Sequence, residues 1–165
     1  METIIVWKNF FTQEEKNNIK FESETFQWNL EGFSQDTPLT RLFWYKDLFN
    51  CVKSKELFKS KIQNYLNKQI EVYRLYANGQ SHGQCGQFHQ DIPGCDYSLV
   101  YYLHEDWQPE YGGHLMIKNG DGIESYWPES NSAILFNSKL WHCPLEPTIY
   151  CRTQRLSIAF KFRIL

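Results

Sequence analysis

Residues 155–162 read RLSIAFKF, and the alternation of large apolar side chains with small or charged ones predicts a β-strand. One face holds Leu156, Ile158, Phe160 and Phe162, and the other holds Arg155, Ser157, Ala159 and Lys161. Small side chains beside a guanidinium leave room for a carboxylate, which arginine binds with two parallel hydrogen bonds. The alternative is an ordinary edge strand with a polar outer face. The small side chains, and the position of Arg155 13 residues after His142, favour a pocket.

Between residue 69 and this strand, the chain consists of short apolar runs separated by turn signals. We expect strands near 70–77, 86–91, 97–103, 114–118, 123–127, 132–136, 140–145 and 154–163. Eight short strands after a helical N-terminal part predict an α+β protein that is mainly β. The expected fold is a double-stranded β-helix, or jelly roll, with helices packed on one outer face. Composition alone does not distinguish it from another sandwich.

The N-terminal part carries helical signals. Thr12 and Glu15 fit a capping box, which predicts a helix from about Gln13, and a short strand is expected over residues 4–7. Apolar residues at helical spacing predict a second helix near 54–67. The 165 residues contain no linker, so we expect a single domain over 1–165, with helical support over about 1–68 and a catalytic core over about 69–165.

Composition excludes a disordered chain, because 42% of the residues are apolar and 17% are aromatic. The net charge of −2 argues against a protein built around nucleic acid. One basic run, with lysines at 53, 55, 59 and 61, is interpreted as a solvated helix face. A nucleic-acid partner is therefore not expected.

The five cysteines are odd in number and form no C-x-x-C pair. The first residues do not resemble a signal peptide, and no apolar run is long enough to cross a membrane. These features favour an intracellular, cytoplasmic protein without a membrane partner, in which the cysteines are buried small hydrophobic residues.

The segment Phe88-His89-Gln90-Asp91 contains an H-x-D triplet. Residues i and i+2 of a strand share a face, so His89 and Asp91 can converge on one ion. His142 is the best candidate for a third ligand from a distant strand. Two histidines and one carboxylate form the facial triad of non-haem Fe(II) oxygenases, which leaves the other face of the ion open.

Other interpretations of the histidines remain open. His82, Cys85 and His89 are conceivable zinc ligands, although their spacing does not match the usual tight pairs. His82 and His104 lie in or beside predicted turns, where solvent exposure is expected.

The strand predicted over 97–103 places Ser98, Val100 and Tyr102 on one face, where the Tyr102 phenol can reach the carboxylate that Arg155 holds. Arg74 and Tyr76 share a face of the strand over 70–77 and point either into the cavity or into the core. We expect Arg74 and Lys161 to meet peptide carbonyls at the cavity rim. The aromatic residues available for cavity walls are Trp44, Tyr45, Tyr76, Trp107 and Trp141.

These motifs together resemble the 2-oxoglutarate/Fe(II) dioxygenase superfamily, and its prolyl 4-hydroxylase-like branch in particular. The resemblance covers about 90 residues between Tyr73 and Phe162. It is carried by the segments YRLYANGQSHGQCGQFHQD, LVYYLHEDWQPEYGGHLMI, ILFNSKLWH and RLSIAFKF. The family's Y-L-N at the end of the tyrosine-rich strand is replaced by Tyr102-Leu103-His104, a departure expected to affect a turn.

The resemblance implies an iron enzyme in which His89, Asp91 and His142 bind Fe(II). It implies that Arg155 anchors 2-oxoglutarate with help from Tyr102, and we assign Tyr76 and Ser157 to the same co-substrate site. Dioxygen is the implied second co-substrate, and ascorbate is a candidate reductant.

The function that follows is hydroxylation of an unactivated C–H bond, with a prolyl residue of a peptide or protein as the expected substrate. Oxidative demethylation of nucleic acid and hydroxylation of a free amino acid are the alternatives within the enzyme class. A non-catalytic jelly-roll binding module is the alternative outside it, and the complete set of candidate ligands with Arg155 argues against it.

Overall fold

The strand predicted from RLSIAFKF lies at the centre of the larger of two antiparallel sheets. In the computed structural model, which describes residues 2–91 and 93–165, β10 spans Arg155–Ile164. It pairs with β4 (Ile70–Gln80) on one side and β5 (Tyr97–Tyr102) on the other. The remaining strands are β1 (Ile5–Trp7), β2 (Asn29–Gly32), β3 (Phe43–Asp47), β6 (Leu115–Asn119), β7 (Gly122–Tyr126), β8 (Ala133–Asn137) and β9 (His142–Pro144).

The strand order in the larger sheet is β1-β8-β5-β10-β4-β3-β2, and in the smaller sheet it is β7-β6-β9. Residues of both sheets meet in one buried cluster, to which β5 contributes Tyr102, β6 contributes Leu115, and β8 contributes Phe136. The two sheets therefore face each other as in a jelly roll, which confirms the predicted fold class.

The helices are α1 (Gln13–Glu24) and α2 (Val52–Leu66), and a 3₁₀ turn covers Pro109–Tyr111. The capping box is present: the Thr12 hydroxyl accepts a hydrogen bond from the Glu15 amide, and the Glu15 carboxylate accepts one from the Thr12 amide.

Both helices pack on the outer face of the larger sheet. Their buried side chains join one apolar cluster with alternate residues of the central strands, including Ile19, Phe58, Ile62, Leu75, Leu99, Ile158 and Phe160. Because neighbouring strand residues point in opposite directions, this outer packing leaves the other face of β4, β5 and β10 for the space between the sheets. The helices thus support the sheet from behind the cavity.

Two expectations about the strands were wrong. Residues 86–91 do not form a strand, because His89 makes only an isolated bridge to His142. The N-terminal part also supplies β2 and β3 to the larger sheet, which were not expected, whereas β1 confirms the strand expected over residues 4–7. Three of the four residues of β2 are exposed, so it has no apolar alternation that would mark it as a strand.

Three of the five cysteines, Cys51, Cys95 and Cys143, are buried, and Cys85 and Cys151 are partly buried. Among the helices of the described chain, none combines the length and the apolarity needed to cross a membrane.

Candidate metal and co-substrate site

A cavity of about 580 Å³ lies between the two sheets. Its lining on one side comes from β4, β5 and β10, including every residue of the small and charged face predicted for β10. On the other side it is lined by Leu115 of β6 and by His142 and Pro144 of β9. The volume is within the range of small-molecule sites.

His89, Asp91 and His142 converge in this cavity, with one ligand atom of each lying within 4.8 Å of the others. The two histidines are held together by their backbones, because each amide donates to the other's carbonyl at 2.9 Å. Their rings are 4.2 Å apart between centroids, and the Nε2 atom of each lies 3.8 Å from a carboxylate oxygen of Asp91. The H-x-D triplet and the distant histidine are thus brought together without a regular strand over residues 86–91.

Backbone carbonyls orient both imidazoles. His89 donates through Nδ1 to the carbonyl of Gln87, and His142 donates through Nδ1 to the carbonyl of Leu140, each at 2.9 Å. With the proton on Nδ1, the Nε2 lone pair of each ring faces Asp91 and is free to bind a metal. Burial lowers the pKa of both histidines, that of His142 to about 4, so both rings are neutral at physiological pH.

Asp91 is a buried carboxylate with close partners. Its side chain is 2% exposed, accepts a hydrogen bond from the Ser98 hydroxyl and forms an ion pair with the ammonium group of Lys161. Burial acts to raise the pKa of Asp91, but the charges of Lys161 and His142 and the hydrogen bonds from Lys161 and Ser98 together outweigh burial, and the pKa falls below its usual range. Asp91 is therefore an anion at neutral pH.

This donor set fits Fe(II). Two neutral imidazoles and one ionised carboxylate on one side of a small volume match the facial arrangement of non-haem iron sites. Over residues 2–91 and 93–165, no other group of three histidine, cysteine or acidic side chains is close enough to hold a metal ion. The conceivable zinc set of His82, Cys85 and His89 does not form.

Arg155 supplies a buried positive charge at another part of the same cavity. It is 1% exposed, and its guanidinium donates to the Gly113 carbonyl at 2.6 Å, to Gln80 Oε1 at 2.9 Å and to the Tyr102 hydroxyl at 3.2 Å. A longer contact of 3.4 Å reaches the Ser157 hydroxyl. None of these partners is an anion, and no carboxylate among the described residues forms an ion pair with Arg155. A buried cation without a counter-ion is costly, which suits a site for an anionic ligand such as 2-oxoglutarate.

The Gly112-Gly113 pair allows this close approach. Gly113 has a φ of 74°, in the left-handed region that favours glycine, and a Cβ atom there would lie 3.0 Å from Cδ of Arg155. Trp107 braces the same turn by donating from Nε1 to the Gly112 carbonyl at 2.9 Å. The W-x-x-x-x-G-G segment therefore shapes the arginine site.

His104 is buried at 6% exposure, so the expectation that it would be exposed was wrong. Its ring stacks on Trp107 at 4.4 Å and lies 5.7 Å from the ring of Tyr102. Burial lowers its pKa to about 4. His104, which departs from the family's Y-L-N, thus packs behind the site around Arg155.

Tyr76 lines the cavity at a distance from Arg155, beside Lys161 and Arg74. The Lys161 ammonium lies 5.3 Å and the Arg74 guanidinium 4.7 Å from the centroid of its ring. Lys161 is 5% exposed and contacts Asp91, so it is not the rim residue that the sequence suggested.

Only two of the five expected wall aromatics, Tyr45 and Tyr76, line the cavity, and the others lie elsewhere. Sequence reasoning missed Phe33, Phe43 and Asn78 in the cavity lining, and Gln80, which contacts Arg155. The last two share the Arg74 and Tyr76 face of β4, so extending the alternation of that strand would have found them.

The family model described as the 2OG-Fe(II) oxygenase superfamily matches residues 70–163, more than half of the chain. No curated protein sequence matches the chain significantly.

Several solved structures have a similar fold. A prolyl hydroxylase from Trichoplax adhaerens, in complex with a peptide fragment of the hypoxia inducible factor oxygen degradation domain, is 14% identical. The match has a TM-score of 0.76 and covers 99% of this chain and 84% of that one. A prolyl-4-hydroxylase from Pseudomonas putida is 18% identical, with a TM-score of 0.71 over 99% of this chain and 94% of that one. HygX from Streptomyces hygroscopicus, with nickel and 2-oxoglutarate bound, is 13% identical, with a TM-score of 0.73 over 98% and 83%.

Proposed function

Because the chain belongs to the 2OG-Fe(II) oxygenase superfamily, we propose that it uses Fe(II) and 2-oxoglutarate to hydroxylate a prolyl residue of a peptide or protein. The observation that carries the catalytic part of this proposal is that one cavity holds both a His-Asp-His cluster and a buried arginine without an anionic partner. The His-Asp-His cluster or the buried arginine alone could have a purely structural role. Together in one cavity they match a metal ion and a dicarboxylate.

In this proposal His89, Asp91 and His142 bind the iron, and Arg155 binds the far carboxylate of 2-oxoglutarate. The Tyr102 hydroxyl donates a hydrogen bond to that carboxylate, because its oxygen already accepts a hydrogen bond from Arg155. Ser157 lies beside the same guanidinium. Tyr76, more distant from Arg155, forms part of the cavity wall next to the metal ligands.

When bound, Fe(II), 2-oxoglutarate and dioxygen supply the oxidation, in which 2-oxoglutarate becomes succinate and carbon dioxide and one oxygen atom enters a substrate C–H bond. The residues of this chain orient the reactants. The Nδ1 bonds of His89 and His142 fix the direction of their rings, and Ser98 fixes the Asp91 carboxylate. The apolar contacts between the sheets keep water away from the buried charges.

The prolyl part of the proposal is supported by the fold shared with two prolyl hydroxylases. The cavity also offers aromatic side chains, among them Phe43, Tyr45 and the half-exposed Phe33, against which a pyrrolidine ring can pack. Asn78 Oδ1 is buried in the lining and has no hydrogen-bond partner, so it can accept from a peptide N–H group.

A nucleic-acid substrate is less well supported. The basic run of residues 53–61 lies on α2, which packs on the outer face of the larger sheet. None of its lysines belongs to the described lining of the cavity. A nucleic-acid site would need a groove in which a continuous path of cations binds successive phosphates on the way to the metal ligands.

The experiment measures succinate formation from 2-oxoglutarate with Fe(II), in the presence of proline peptides, methylated oligonucleotides or free amino acids. We expect a proline peptide to stimulate turnover most, with little dependence on salt. Stimulation by an oligonucleotide, falling steeply with salt, would contradict the prolyl proposal but leave the oxygenase assignment intact.

A further inference from the structure

Two positively charged side chains lie next to each other on the sheet face that lines the cavity, away from Arg155. Arg74 of β4 and Lys161 of β10 are direct partners in the antiparallel ladder, and both side chains line the cavity. Like charges at directly opposed positions destabilise a sheet. Lys161 is six residues from Arg155, about 20 Å along a strand at about 3.3 Å per residue. The pair is therefore separate from the proposed co-substrate anchor.

The two cations differ in their partners. Lys161 forms an ion pair with Asp91, whereas no carboxylate of the described chain forms an ion pair with Arg74. The Arg74 guanidinium is half-buried and stacks over Tyr76, whose ring also packs against Tyr45 at 5.4 Å. The Tyr45 side chain also accepts a hydrogen bond from Arg74, and Asp91 attracts the guanidinium without an ion-pair contact. The remaining N–H donors of the guanidinium are available to an oxyanion.

The charges that line the cavity also favour the binding of an anion. Its lining contains three cations, Arg74, Arg155 and Lys161, and two carboxylates, Asp91 and the exposed Glu31. Fe(II) and the 2-oxoglutarate dianion cancel each other's charge, so loading both leaves the excess positive charge in place. An iron ion also shares the Asp91 carboxylate, which weakens the hold of Asp91 on Lys161.

We infer that Arg74 and Lys161 form an anion subsite that binds a carboxylate of the substrate close to the C–H bond that is hydroxylated. The inference rests on the proposed function, since it specifies the substrate of the same cavity. Two sources of the carboxylate share this chemistry: an acidic side chain next to the proline of a peptide, or the α-carboxylate of free proline.

The test is equilibrium binding, measured by calorimetry under nitrogen on protein loaded with Fe(II) and saturating 2-oxoglutarate. One pair of probes is a blocked peptide with proline followed by glutamate, and the same peptide with glutamine. The other pair is L-proline and L-prolinamide. In at least one pair the acid should bind about ten-fold or more tightly than the amide, as expected for a charge-assisted hydrogen bond. The pair that shows the preference identifies the source of the carboxylate.

Arg74→Gln should reduce that preference to about three-fold or less, and Arg74→Lys should retain part of it, because the charge stays and the fork is lost. The matched control is Arg163→Gln. Arg163 lies two residues after Lys161, but it is exposed and paired with Glu71, outside the cavity lining. This control should keep the full preference of the unmodified protein.

Equal binding of acid and amide in both pairs would overturn the subsite, as would full preference in Arg74→Gln or failure of both acids to bind. Because the acid-to-amide comparison in the unmodified protein needs no variant, it decides the question even if Arg74→Gln does not fold. Succinate formation with the same probes separates the two proposals. Equal stimulation by acid and amide would keep the prolyl function without the subsite, whereas tight acid binding without stimulation would keep the subsite without the prolyl function.

Discussion

Asp91 and Arg155 are both buried charges in one cavity, but their partners differ. Asp91 is balanced by the protein itself, through the Lys161 ammonium and the Ser98 hydroxyl. Arg155 contacts only neutral groups, namely a backbone carbonyl, an amide and two hydroxyls. The charge at the proposed metal end of the cavity is thus compensated within the chain, whereas under the proposed function the arginine end gains its counter-charge from 2-oxoglutarate.

The largest effect is expected at the metal end. His89→Ala removes one of three proposed iron ligands, so succinate formation should fall to background while the circular dichroism spectrum is unchanged. His82→Ala is the matched control, because His82 is exposed and lies outside the cluster. Full activity in His89→Ala would contradict the ligand assignment.

The comparison of Asp91 with Arg155 also predicts that substitutions at the two positions destabilise the metal-free protein to different extents. Asp91→Asn leaves Lys161 buried without its anion, and the free energy of unfolding should fall by about 3–5 kcal/mol. Arg155→Met removes a cation that has no anionic partner, so it should cost less, since no buried charge is left behind. Urea denaturation measures both changes. Equal losses would mean that the two ends are compensated alike.

A second positive charge beside Arg155 should be unfavourable. The pKa of His104 is lowered by burial to about 4, from about 6.5 in an unfolded chain. The free energy of unfolding should therefore decrease as the pH falls from about 6.5 towards 4, by about 3 kcal/mol from this group, and no further below that range.

His104→Gln keeps a side-chain donor for the Pro128 carbonyl but does not titrate, so its stability should depend less on pH over that range. The difference between the unmodified protein and the variant isolates His104 from the other titrating groups. His82→Ala, as the control, should follow the unmodified protein. If the free energy of unfolding of His104→Gln depended on pH as strongly as that of the unmodified protein, His104 would not be the titrating group.

At the arginine end, Arg155→Ala should weaken 2-oxoglutarate binding by about 2–3 kcal/mol, roughly thirty- to a hundred-fold, because a charge-assisted double hydrogen bond is lost. The measurement is the dependence of turnover on 2-oxoglutarate concentration. Arg152→Ala, at an exposed arginine near the same strand, is the control. If Arg155→Ala left this dependence unchanged, Arg74 or Arg152 would be the better candidate for the anchor.

The smallest effect is expected for Tyr102→Phe. It removes one neutral hydrogen-bonding group beside Arg155 and should weaken 2-oxoglutarate binding by about 1 kcal/mol. The same titration measures it. A loss as large as that of Arg155→Ala would show that Tyr102 also holds the guanidinium in place.

Much of the cavity could be predicted from local patterns. The alternation of β10 correctly separated the face that packs against the helices from the face that lines the cavity. The H-x-D triplet and His142 were identified as a group, and the structure places them together. Their assignment as iron ligands, with Arg155, Tyr102, Tyr76 and Ser157 at the co-substrate, stays a prediction.

Other features had no local signal. The ion pair of Lys161 with Asp91 joins residues 70 positions apart, so neither residue's neighbours in sequence indicate it. The burial of His104 depends on stacking against Trp107 at the Gly112-Gly113 turn. The short β2 has no apolar pattern of its own and is a strand because it pairs with the edge of β3, which in turn pairs with β4.

The sequence by itself determined which faces the strands present, where α1 begins, and which side chains carry the chemistry, because periodicity and capping act over a few residues. Only the tertiary structure decided which buried charges meet. The pairing of Asp91 with Lys161 and the lack of an anion at Arg155 arise when distant strands are brought into register across the cavity. A charge placed there is balanced by its neighbours in space, which no local pattern encodes.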